Sequence, residues 1–86
     1  MEIDFRNVEV KDIEGNPVTV DLSKELGNMM YLNAQDIAEA DLGHDIYHKG
    51  KVELNKEQAA IVKGYIDKGF KAIVKRVMMP VLDSVQ

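Results

Sequence analysis

The sequence predicts an α+β fold, with an N-terminal antiparallel β-hairpin packed against two or three helices, the last one long. Apolar and polar residues alternate through much of the first quarter of the chain. A turn signal, Glu14-Gly15-Asn16-Pro17, interrupts that alternation, and from Asn55 onward apolar residues recur at helical spacing.

In the first segment Ile3 and Phe5 share one phase, and Val8 and Val10 share the other. A one-residue slip sends apolar side chains to the opposite face, so a bulge or bend is expected near Arg6-Asn7. At the turn, Gly15 and Asn16 tolerate positive φ and Pro17 fixes the exit. Val18, Val20 and Leu22 then alternate with Thr19 and Asp21, which gives a hairpin over about residues 7–22, with 7–13 pairing to 17–22. Two strands alone are barely stable, so one face must lie on helices.

Ser23 is placed to N-cap a helix over about 24–33 whose apolar side is Leu22, Leu26, Met29, Met30 and Leu32. Gly27 weakens that helix by about 1 kcal/mol relative to Ala, which points to a close contact. A second helix over about 36–49 turns Ile37, Ala38, Leu42 and Ile46 inward and Asp36, Glu39, Asp41 and Asp45 outward, with Gly50 as its C-cap. Val52 and Leu54 mark a short strand or an extended link. Asn55 and Gln58 form a capping box that opens the last helix, over about 56–79, which Pro80 either ends or kinks.

With 86 residues the chain makes a single small domain, 1–86, and a core of that size often gains support from disulfides, a metal or self-association. Cysteine is absent, which removes disulfides and thiolate chemistry. No apolar run approaches the roughly 20 residues that span a bilayer. The opening Met1-Glu2-Ile3-Asp4 is unlike a secretory signal, so a cytoplasmic location and no membrane partner are expected.

Charge is uneven. Residues 1–62 hold thirteen acids against six bases, whereas from Lys63 onward five bases face two acids. On a continuous last helix, Ala59, Val62, Ile66, Phe70, Ile73 and Val77 fall in one arc and Lys68, Lys71 and Lys75 on the opposite side. Ile61, Tyr65 and Ala72 form a second apolar stripe beside those lysines. These six residues, Ile61, Tyr65, Ala72, Lys68, Lys71 and Lys75, are the interaction candidates. The stripe meets either a protein partner, a second copy included, or a neighbouring helix of the same chain. Lysines in a row can also neutralise phosphates. On an acidic chain without flanking aromatic residues, nucleic-acid binding is the weaker alternative.

His44-Asp45-Ile46-Tyr47-His48 places both histidines four apart on a helix, the spacing with which H-E-x-x-H sites hold zinc. Asp41 lies on the same helical side and is the candidate third ligand. This HDxxH pattern gives a second alternative, a metal-binding protein or metal-dependent hydrolase. Against it, Asp45 stands where the motif needs Glu, and no further histidine exists. No Gly-rich phosphate loop or activated serine appears. The expectation is therefore no enzyme, no cofactor and no committed metal site.

The run D-I-E-G-N-P-V-T-V-D-L, then S-K-E-L-G-N-M-M-Y, then D-I-Y-H-K-G-K-V-E-L-N-K-E-Q resembles short proteins of unassigned activity encoded in phage and prophage-like gene clusters of gut Bacteroides-type bacteria. The likeness covers roughly residues 8–66. It implies a small assembly or interaction factor and carries no defined functional residues. The sequence thus predicts a non-enzymatic protein–protein interaction or assembly factor that self-associates, in a phage or mobile-element setting.

Overall fold

The structure, a computed structural model, describes residues 1–86 and follows the order β1 (Glu2–Asp4), β2 (Val8–Lys11), β3 (Pro17–Val20), α1 (Ser23–Asn33), α2 (Ile37–Lys49), β4 (Lys51–Glu53), α3 (Lys56–Gly69) and α4 (Ala72–Asp83). The α+β class stands, with four helices where two or three were expected.

β2 and β3 form the antiparallel hairpin, with Val8 opposite Val20 and Val10 opposite Val18. The phase slip at Arg6-Asn7 is larger than a bulge: it separates β2 from β1, which belongs to another sheet. β1 pairs antiparallel with β4, placing Ile3 opposite Val52. Ile3, Phe5, Val8 and Val10 are all buried, so the bend lets both phases reach one core.

α1 begins at Ser23, one residue before the predicted start, and Ser23 is not its cap. The hydroxyl is buried and donates to Asp21 Oδ1 at 2.6 Å, and Asp21 also accepts the Ser23 backbone N–H. Asp36 caps α2 by accepting the Glu39 N–H, and Gly50 closes it at φ +73°. The α1–α2 turn overhangs the core: Leu32 and Ile37, expected inward, are 72% and 81% exposed, and Ala38 is exposed as well.

The helix predicted over 56–79 is two helices. The capping box of Asn55 and Gln58 opens α3 as expected, but Phe70 and Lys71 are extended and the chain folds back. A continuous helix of that length would run about 36 Å and carry its second half past the core. The reversal instead brings α4 against α3 and β2 and resets the buried arc. Val74, Met78 and Leu82 are buried, while Ile73, assigned to the core arc, is 43% exposed. Pro80 lies inside α4, which continues to Asp83. One core of eighteen buried apolar residues joins all of these elements except β3, whose Val20 packs against its edge. No helix is long and apolar enough to cross a membrane.

Candidate interaction surface

The fold reversal at Phe70-Lys71 divides the six interaction candidates. Ile61, Tyr65 and Lys68 stay together on α3, where they line a groove of about 580 Å³ with Met29, Asn33 and Glu39 of the α1–α2 hairpin. A neighbouring helix pair therefore forms the other wall of this part of the stripe without closing it, and Ile61 remains 37% exposed. Gly64 leaves the floor open, with nothing within 4 Å of where its Cβ would stand.

Tyr65 is half-buried there. Burial, and then the nearby Glu39 carboxylate, push its phenol above the ordinary tyrosine value. Glu39 is itself held in place, because one of its oxygens accepts the Gln35 backbone N–H at 2.8 Å.

Ala72 leaves this surface altogether. It opens α4 and lines a different groove, with Ile73 and Val77 of α4 and Ile13 of the hairpin tip. The second apolar stripe is thus two surfaces, one on each helix. The lysine stripe dissolves for the same reason. Lys68 belongs to the α3 groove, Lys71 stands at the N-cap of α4, and Lys75 reaches back to Asp67 at 3.8 Å. Lys63 pairs with Asp83, so two of the five C-terminal bases are matched by acids of the same segment.

His44 and His48 do come together, with ring centroids 4.3 Å apart, beside Tyr31 and Tyr47 in a shallow cleft over Gly27. Asp41 does not complete a site with them. It opens onto another groove with Asp45, Lys49 and Lys51, and no three His, Asp or Glu side chains converge on a point that could hold a metal ion. Asp45 is turned toward Lys49 at 3.7 Å.

The carboxyl groups held below their ordinary range have structural causes. The Asn7 side-chain amide and then the Arg6 N–H act on Asp4, the Asn16 and Glu14 backbone N–H groups on Asp12, and the Ser23 hydroxyl and N–H on Asp21. These carboxylates fasten bends and turns.

Sequence reasoning missed the hairpin tip as part of a surface. Ile13 is fully in water, at 104% exposure, and Ile73 and Val77 lie across the groove from it. The signal was present as an aliphatic residue, Ile13, set inside a turn sequence where polar residues are the rule. No family model, curated protein or solved structure matches the chain.

Proposed function

We propose that this chain is a small, non-enzymatic interaction protein that assembles with further copies of itself, in keeping with an assembly role in a phage or mobile-element setting. The observation that carries the reading is the placement of Ile13, Leu32 and Ile37. These three large aliphatic side chains are each more than seven-tenths exposed although eighteen other apolar residues are buried in the core. Single surface apolar residues are ordinary. Here, however, Leu32 and Ile37 flank the α1–α2 turn and Ile13 lines the groove beside α4, so two separate parts of the surface offer apolar area.

The size of the chain favours the same reading. A core of eighteen apolar residues in 86 is modest, and association buries further apolar surface at roughly 25 cal/mol per Å². Light scattering coupled to gel filtration at micromolar concentration, in low and high salt, tests it. A mass near twice the 9.7 kDa chain or above is expected, and a mass of one chain under both conditions overturns it.

A further inference from the structure

Building on the reading that the chain self-associates, we propose that the hairpin tip and α4 form a two-fold interface in which each copy inserts Ile13 into the other's groove, over Ile73 and Val77. Ile13 meets no atom of its own chain that covers it. Its loop is nevertheless well fastened. Asp12 Oδ1 accepts the backbone N–H groups of Glu14 and Asn16, both at 2.9 Å, and the Asp12 N–H and carbonyl bond Asn16 and Gly15 at 3.0 Å. Gly15 closes the turn at φ +86°. An apolar side chain held out on an ordered turn loses little further conformational freedom on docking, which is the condition for efficient recognition.

The recess that would receive it lies on the same face. The open groove between hairpin and α4, about 640 Å³, has Ile73 and Val77 on one wall and Ile13 at its rim. A two-fold interface requires one patch to match itself, so that residue i meets j while j meets i. A knob and a recess side by side satisfy that requirement in shape.

Charge satisfies it too. Glu9 and Lys11 stand on the hairpin wall beside Asp12, and Arg76 stands on the α4 wall, two acids and two bases in one patch. Docking the hairpin of one copy on α4 of the other sets Glu9 against Arg76 twice. A nucleic-acid partner would call for a positive surplus, which this patch lacks. Leu32 and Ile37 are exposed on the α1–α2 turn but line no part of the Tyr65 groove, whereas Ile13 itself lines the groove beside α4, and the second copy is therefore assigned to the α4 side.

Sedimentation velocity on the full chain tests the assignment with four variants: Ile13→Glu, Glu9→Arg, Arg76→Glu and the Glu9→Arg/Arg76→Glu pair. The wild type is expected to dimerise, Ile13→Glu to weaken the dimer by about tenfold or more, and each single reversal to weaken it less. The double reversal is expected to regain affinity over either single change. Ile61→Glu, on the other groove, serves as the counterpart and should leave the dimer intact. All four positions are exposed, so circular dichroism should show each variant folded. If the wild type dimerises and the Ile13→Glu variant does so equally well, or if Ile61→Glu alone breaks the dimer, the assigned surface is overturned while self-association stands. A wild type that stays monomeric overturns both.

Discussion

Gly27 of α1 and Gly43 of α2 face each other where the two helices cross, close enough that neither position has room for a methyl group. A Cβ on Gly27 would stand 2.6 Å from the Gly43 carbonyl oxygen, and one on Gly43 would stand 2.9 Å from the Gly27 oxygen. The helices are in backbone contact, which explains two glycines within helices. Gly27→Ala and Gly43→Ala are each expected to destabilise the fold by about 1–3 kcal/mol, the overpacking cost exceeding the roughly 1 kcal/mol gained in helix propensity. Urea unfolding that shows either variant as stable as wild type would contradict this packing.

Gly64 gives the opposite sign. It lies in the middle of α3 with open space around it, so Gly64→Ala gains helix propensity without a clash. A rise in stability of about 0.5–1 kcal/mol is expected from the same unfolding measurement. A loss would mean that the floor of the Tyr65 groove is not open.

Arg6 and Gly50 act as a pair. The Arg6 guanidinium donates from Nη2 to the carbonyl oxygens of Tyr47 and His48, at 3.1 and 2.8 Å, and so satisfies the end of α2. Its methylenes lie over Gly50, where a Cβ would come within 2.5 Å of them and where φ is +73°. Arg6→Ala is expected to cost about 1–3 kcal/mol, and Gly50→Ala to be destabilising through both strain and clash. In Arg6→Ala/Gly50→Ala the clash is relieved and only the strain and lost bonds remain, so the combined loss should fall short of the sum. Strict additivity in thermal melts would count against the contact.

Acid should weaken the fold in a narrow range. Asp4, Asp12 and Asp21 all have carboxyl groups held below the ordinary aspartate value of 3.8. A depressed folded value contributes stability that is present above the unfolded value and is lost as pH falls through the folded one. Stability should therefore be level from neutrality to about pH 5 and decline below about pH 4. Asp21→Ala should lower stability at pH 7 and make the acid decline shallower, because the Ser23 hydroxyl and N–H lose their acceptor. An unchanged acid limb would show that Asp21 takes no part in the decline.

The parts of the fold that were legible in the sequence are those set by local chemistry. Pro17 and Gly15 fix the hairpin turn, Gly50 closes α2, and Asn55 with Gln58 opens α3. What stayed hidden depends on contacts distant in sequence. The pairing of Ile3 with Val52 bridges most of the chain, and three-residue strands carry little pattern of their own. The break after Gly69 was masked because Phe70, Ile73 and Val77 continue the α3 arc in phase. Only the rival arc of Val74, Met78 and Leu82 shows that α4 starts afresh, and tertiary burial decides between them. The candidate site suffered with it. Ile61 and Tyr65 are neighbours because one helix holds both, and Ala72 was joined to them through a helix that does not continue.

The most direct measurement of self-association is the thermal midpoint of the full chain over a hundredfold range of protein concentration. Folding linked to dimerisation makes the midpoint rise with concentration by mass action. A rise of several degrees across that range is predicted for the wild type, and a smaller rise for Ile13→Glu. A midpoint that is the same at every concentration would contradict self-association.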